Sequence, residues 1–370
     1  MNKVATNFIK KNIVMIIALM LAIVTSVIVP IDDAYLEYID FRTIVCLFCV
    51  LAVVCALKNI NFFYVLAKWV VHLFKTTRMS ILGLVYITFI GSMLIANDMA
   101  LLTFLPLGYF VLSVTHKENY MAFTFIMQNI AANLGGMLTP FGNPQNLFLY
   151  YKFNIPNLEF LSIMAPLFTV AVVIITICCL CVKSEPMEIQ EEKIELPLWR
   201  TVQYLLLFAL SIVIVFKGIP YQLGFVIILL VLLLSDREAL KNVDYPLLLT
   251  FVFFFVFAGN MARIEPVKEF LGLLMQKNTL IFSVLSCQVI SNVPSAILLS
   301  QFTNNYHDLL LGVNIGGAGT LIASLASLIT FKEYARHNPG KIARYLGAFH
   351  IYNFGFVIVL TAFAYGLSFI

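Results

Sequence analysis

The stretch Thr139-Pro140-Phe141-Gly142-Asn143-Pro144-Gln145-Asn146 sits between two apolar segments, Tyr120 to Leu138 and Leu147 to Tyr151. Pro140 and Pro144 remove backbone donors and disfavour helix at the residues before them. Gly142 permits backbone angles closed to other residues. Such a run reads in two ways. It is an ordinary turn outside a membrane, since Pro, Gly and Asn are turn residues anywhere. Or it is a helix broken at membrane depth, where freed carbonyls must face protein, water or a ligand. In the second reading carbonyls and amide oxygens offer ligands to a hard cation, and a helix restarting near Gln145 offers its N–H groups to an anion.

Composition decides which solvent surrounds that break. Of the 370 residues, 61% are hydrophobic and only 11% charged. A soluble domain carries about a quarter of its residues as charges, so lipid must wet much of this surface. A spanning helix needs about 20 apolar residues, and the apolar runs leave room for roughly ten. Phe225 to Leu234 is unbroken Phe, Val, Ile and Leu, without the alternation of a membrane strand. The expected fold is an all-α polytopic membrane protein of about ten to eleven helices. The net charge of +4 is spread over loops and gives no case for nucleic acid. The seven cysteines lie in apolar runs without metal-ligand spacing, and the five histidines are scattered; no cofactor is expected beyond a coupling sodium ion.

Lys3, Lys10 and Lys11 precede the first apolar run, and Lys332, Arg336, Lys341 and Arg344 precede the last. Since basic short loops face the cytoplasm, the N-terminus is expected inside and the C-terminus outside, in a cell membrane. Residues 1–38 form a first helix and outer loop, 39–182 a first repeat, 183–200 an acidic cytoplasmic linker and 201–370 a second repeat. Ile39-Asp40-Phe41 is matched by Val243-Asp244-Tyr245, and the mixed stretch Asn61 to Lys75 by Met261 to Lys277. Ala96-Asn97-Asp98 is matched by Ser291-Asn292-Val293, and Leu134 to Thr139 aligns without gaps to Ile315 to Thr320. The charge pattern puts Asp40 outside and Asp244 inside, which makes the repeats inverted, a recurrent transporter design.

Asp98 is the most informative single residue. An acid between the apolar runs Met79 to Ile95 and Met99 to Val114 is costly to bury and marks function. It is a candidate for binding sodium or carrying a proton, with Asn97, Asn143 and Asn292 as further ligands. A loop acid at the bilayer surface is the plainer alternative. An intramembrane enzyme would need paired acids, a metal motif or a Ser/His pair, none of which the sequence offers; a channel fits the repeats less well than alternating access.

At Ala96-Asn97-Asp98 and at Thr139 to Asn146 the sequence resembles the ion transporter superfamily, which includes citrate transporters, divalent-anion/sodium symporters, arsenite efflux permeases and one family of sodium/proton antiporters. The resemblance covers nearly the whole chain from about Ile39. It implies two inverted repeats, each with a re-entrant hairpin and a broken helix, and a homodimer as the working unit. It places the first hairpin tip at Ala96, Asn97 and Asp98 and the first break at Thr139 to Asn146, including Gly142, Asn143, Pro144 and Asn146. The second tip falls at Ser291, Asn292 and Val293, and the second break near Thr320 to Ser324. The symporters carry Ser-Asn-Thr at both tips, so Ala-Asn-Asp here looks more like the arsenite permeases, while the Gly-Asn-Pro-x-Asn loop looks like that of citrate and anion permeases. The implied function is secondary transport of a small anion coupled to sodium or protons, with sodium/proton antiport or arsenite-type efflux as alternatives.

Overall fold

Backbone groups in hydrocarbon are satisfied most simply within a helix, and the apolar runs do fold that way. The computed structural model describes residues 12–65, 74–186 and 196–367; among them the only strand-like pairing is one bridge between Thr76 and Pro186. Eight of the described helices are long and apolar enough to cross a membrane, and two shorter apolar helices accompany them. Val27, Leu234 and Ile351 are more than two-thirds exposed, as lipid-facing side chains must be. The chain is a polytopic all-helical membrane protein. Lys3, Lys10 and Lys11, the middle of the Asn61 to Lys75 stretch and half of the acidic linker lie outside the described residues.

Helix α1 (Ile13–Ile28), the short α2 (Ala34–Tyr38) and α3 (Phe41–Asn59) come first. Then α4 (Thr77–Ile95) and α5 (Asn97–Val114) form a hairpin whose turn is the single residue Ala96. Next, α6 (Met121–Gly135) breaks and resumes as α7 (Pro144–Lys152), followed by α8 (Asn157–Leu180) and α9 (Leu198–Val215). The order then recurs: α10 (Tyr221–Ser235), the short α11 (Arg237–Lys241) and α12 (Tyr245–Arg263). A second hairpin follows, α13 (Glu265–Ile290) and α14 (Asn292–Leu299), turning at Ser291. The last break separates α15 (Tyr306–Gly316) from α16 (Leu325–His337), before α17 (Ile342–Leu367). Met261 to Lys277 is helical except for the extended Ile264 between α12 and α13, and a non-helical Asn278 separates the Glu265 arm from the hairpin.

The two hairpins agree to the hydrogen bond. Ala96 (φ 65°, ψ 146°) and Ser291 (φ 73°, ψ 159°) take the same left-handed turn, one that L side chains rarely accept. The next backbone N–H docks on the break: Asn97 donates to Gly142 O at 3.0 Å, Asn292 to Ala323 O at 2.9 Å. Three residues before each turn, a carbonyl accepts a threonine hydroxyl, Met93 O from Thr139 at 2.7 Å and Gln288 O from Thr320 at 3.1 Å. Gly135 presses on Phe89 and Ser92, and Gly316 on Val284 and Cys287, so a side chain would strike the Phe89 carbonyl at the first and the Cys287 side chain at the second. Small residues at such crossings let helices approach closely.

Three of the four half-helices are largely buried, while α16 is buried on one face only. Every residue from Thr124 to Gly135, Pro144 to Tyr151 and Leu309 to Gly316 is buried. The two sets interlock: α14 of the second hairpin packs on α7, and α5 of the first packs on α16. This burial answers the question left by the Pro-Gly-Asn stretch. It is an interior break, not a turn in water.

Candidate functional site

Each break ends in a helix start. Asn143 precedes Pro144, whose missing N–H costs nothing at a first helical position. Ser324 caps α16 by accepting from Ser327 N at 3.2 Å. The hairpin turns start helices too, at Asn97 and Asn292. All four helix starts reach one cavity, lined by Asn97 and Asp98, Pro144 and Gln145, Asn292 to Pro294, and Leu325. Its free space is about 100 Å³, room for a few waters or a small ion. The far wall comes from Val14 of α1 and from Asp244, Pro246 and Thr250 at the start of α12, and Lys332 of α16 completes it.

The charges and the free oxygens at this place define its chemistry. Helix N-termini carry partial positive charge and unpaired N–H groups, which favour anions. Asp98 and Asp244 bring two carboxylates and Lys332 one ammonium. Asp244 is half-committed as an N-cap, accepting from Leu247 N at 3.0 Å. Around the first tip, Asn97 Oδ1, Asp98 Oδ1, Asn143 Oδ1 and Gln145 Oε1 are buried without a hydrogen-bond donor. Buried acceptors are normally satisfied; a set of unpaired oxygens with one carboxylate suits a hard cation or a proton. Among the described residues no cluster of three His, Cys, Asp or Glu exists to hold a metal ion.

Behind the cavity the amide side chains form a brace. Asn314 accepts from Asn143 Nδ2 at 3.1 Å and donates to Asn146 Oδ1 at 2.6 Å. Asn146 donates to Met137 O at 3.2 Å, satisfying a carbonyl freed by the break. Asn143 also donates to Asn133 O at 3.0 Å, and Asn97 to Asn133 Oδ1 at 3.4 Å. Asn129 bonds Ser327 Oγ and Asn353 Oδ1, each at 3.3 Å. Each half therefore satisfies polar groups of the other half's break.

Of the residues expected from sequence, Asn97, Asp98, Pro144, Ser291 and Asn292 line the cavity. Asn143 and Asn146 stand one layer behind, as braces. Thr139 and Thr320 fasten the breaks to the hairpins, and Gly142 supplies the carbonyl on which the first tip docks. Sequence reasoning did not select Gln145, Asp244, Asn314 or Lys332. Gln145 lies inside the quoted motif, and Asp244 opens the run that mirrors Asp40. Lys332 looked like one more cytoplasmic charge.

A helical membrane protein whose interrupted helices meet at one cavity holding an acid and amide side chains is built as a membrane transporter. Sequence comparison agrees and is more specific: the chain belongs to the citrate transporter (CitMHS) family, whose pattern matches residues 3–306. It is similar to the uncharacterized transporter MJ0456 of Methanocaldococcus jannaschii, with 32% identity over 88% of this chain and 90% of that one. It also resembles the inner membrane protein YbiR of Escherichia coli, with 29% identity over 80% of each. A shorter match, 31% identity over 36% of this chain and 27% of the other, is to the silicon efflux transporter LSI3 of Oryza sativa subsp. japonica.

Proposed function

We propose that the protein is a secondary active transporter that moves a small anion, carboxylate or inorganic, coupled to sodium or protons. The observation that carries this reading is the meeting of four helix N-termini with Asp98 at one cavity. The N-termini supply a field for the anion. Asp98 with the unpaired oxygens of Asn97, Asn143 and Gln145 supplies a place for the coupling ion. The two roles sit on opposite faces of one break, so occupancy by the cation lowers the cost of bringing in the anion. The repeats run in opposite directions in this reading, with the N-terminus cytoplasmic and the C-terminus outside a cell membrane. The cavity, bounded by Asn12, Asp244 and Lys332, then opens inward.

Two carboxylates against one lysine favour a second reading, cation/proton antiport with no anionic substrate. Flux in proteoliposomes separates the two. Uptake of citrate, succinate or phosphate driven by a sodium or proton gradient supports symport. Sodium-dependent proton movement that needs no anion supports antiport and removes the first reading.

A further inference from the structure

The inner cavity has a counterpart on the other face of the protein. The register that pairs Gly142 with Ala323 also pairs Tyr151 of α7 with Lys332 of α16. The N-caps Asp40 and Asp244, which accept from Thr43 N and Leu247 N, pair Arg42 with Pro246. The order α10-α11-α12 repeats α1-α2-α3, which pairs Tyr221 with the start of α1. Val14, Pro246 and Lys332 line open space. Their partners Tyr221, Arg42 and Tyr151 lie against one another. The Arg42 guanidinium is 4.4 Å from the centre of the Tyr151 ring and 6.0 Å from that of Tyr221.

Lys217, in the loop between α9 and α10, closes the same cluster. Its ammonium lies 4.7 Å from the Tyr150 ring centre and 5.9 Å from that of Tyr151, and donates to Asn154 Oδ1 at 2.5 Å. Lys217 and Asn154 both hold left-handed backbone angles, φ 63° and 50°. Arg263 and Lys268, at the same end of the protein, are paired with Asp32 and Glu265. Arg42 and Lys217 have no carboxylate within 4.0 Å among the described residues; Asp40 accepts from Thr43 N and Oγ1 instead. Arg42 Nε is buried without an acceptor. Burial, and then the nearby Arg42, push the Lys217 ammonium below its usual value. Two like charges sharing one ring, with a donor left over, are arranged for an anion that is not held in this conformation.

We propose that this cluster is the closed outer mouth of the transport path, and that Arg42 and Lys217 are the groups that receive an anionic carboxylate or oxyanion there. Stacked on Tyr150 and Tyr151, the cations seal the mouth while the inner cavity is open. When α7 withdraws, the rings leave and the two cations face the outside. The inference rests on the inverted-repeat reading above, which sets inside and outside.

Cys46 is a built-in reporter, since its Sγ lies 3.2 Å from Tyr151 Oη, under the clasp. Intact cells expressing the native chain are treated with two membrane-impermeant thiol reagents of similar size, an anionic sulfonatoethyl and a cationic trimethylammonioethyl methanethiosulfonate. Peptide mass spectrometry follows modification at Cys46. The anionic reagent should react about tenfold faster relative to the cationic one than either does with a free thiol, the scale of electrostatic focusing in a charged cleft. R42Q and K217Q should level that ratio, whereas R42K and K217R keep it; a variant that fails to reach the membrane is replaced by the other position. Y151L should raise the rate for both reagents by removing the seal. Cys46 modified only from the inside, unmodified throughout, or modified with a ratio indifferent to R42Q and K217Q would overturn the proposal. None of these readouts needs flux, so a failure of the anion-transport reading appears separately, as absent uptake with an intact labelling ratio.

Discussion

Asn97 donates its backbone N–H to Gly142 O across 3.0 Å, joining the tip of the first hairpin to the floor of the first break. A methyl group at Gly142 would sit 2.4 Å from Gly136 O and 2.7 Å from Thr139 Oγ1, inside contact distance of groups that cannot retreat. Overpacking a filled interior costs roughly 1–3 kcal/mol, and here the residue forced to shift is the one whose own carbonyl receives Asn97 N–H. G142A should therefore lower the thermal midpoint in detergent by several degrees and abolish transport. G347A, with nothing within 4 Å, should do neither. Equal thermal curves for the two variants would mean that the break relaxes freely.

Asp98 presents a carboxylate oxygen that is buried and unpaired at the cavity. D98N keeps the shape and deletes the charge, so folding should be unchanged or slightly improved as a desolvated ion is lost. An ion contact of this kind is worth about 3 kcal/mol, so affinity for the coupling ion should fall roughly a hundredfold. Ion-driven flux should vanish while exchange of substrate across the membrane persists in part. The check is a pair of assays on one preparation, gradient-driven uptake and counterflow. Gradient-driven uptake surviving in D98N would remove Asp98 from the coupling step.

Asn314 shows what the sequence left hidden. The break was legible because Pro140, Gly142 and Pro144 in an apolar frame allow few conformations. Interruptions at Ala96-Asn97-Asp98 and Ser291-Asn292-Val293 were legible because an acid and amides break apolar runs; that they are hairpin tips came from the family resemblance, and the likeness of Leu134–Thr139 to Ile315–Thr320 marks the same crossing twice. Asn314, two residues before a glycine pair, looked like any polar residue on a bundle helix. Only the folded chain brings it to Asn143, Gln145 and Asn146. Lys332 was hidden for the opposite reason, since it lies in a basic cluster whose other members mark topology. Residues far apart in the chain meet through packing, which periodicity and composition do not encode.

N314A follows from that arrangement. It deletes one acceptor and one donor from a buried position, and leaves the amides of Asn143, Gln145 and Asn146 short of partners. Each unsatisfied buried group costs about 1–3 kcal/mol, so a loss of about 3 kcal/mol or more is expected. A double-mutant cycle with N143A should give a coupling well above 0.5 kcal/mol, because the two share one hydrogen bond. Additive effects would show that the halves are not braced through this residue.

The start of the acidic linker is tied to the base of the first hairpin. Thr77 N donates to Glu185 O at 2.9 Å, Arg78 Nε donates to Val182 O at 2.7 Å, and Lys117 pairs with the Glu185 carboxylate. The hydrogen bond and charge of Lys117 hold Glu185 below its ordinary pKa of 4.5. A depressed carboxyl stabilises the folded form above its unfolded value, and that contribution disappears as pH falls through the folded value. E185Q should therefore speed hydrogen exchange of the Thr77 amide roughly twofold to fivefold at pH 7, the range of a partly exposed ion pair. The difference from the native chain should close below pH 4. A difference that stays constant from pH 7 to 3 would assign the effect to packing instead of charge.

Lys332 lines the cavity with Asp98 and Asp244 and has no carboxylate within 4.0 Å among the described residues. Its neighbour Glu333 is occupied by His337 at 3.0 Å and Arg336 at 4.0 Å, so it does not neutralise the lysine. A free ammonium beside four helix starts should contribute more to a doubly or triply charged anion than to a singly charged one, since the attraction scales with ligand charge. K332Q should raise the half-saturating concentration for citrate or succinate about tenfold and for acetate about threefold, with K332R near the native chain. The comparison is made on inside-out vesicles, where the cavity faces the added substrate in the proposed orientation. Equal shifts for all three anions, or none, would leave Lys332 as a topology charge and return anion binding to the helix N-termini alone.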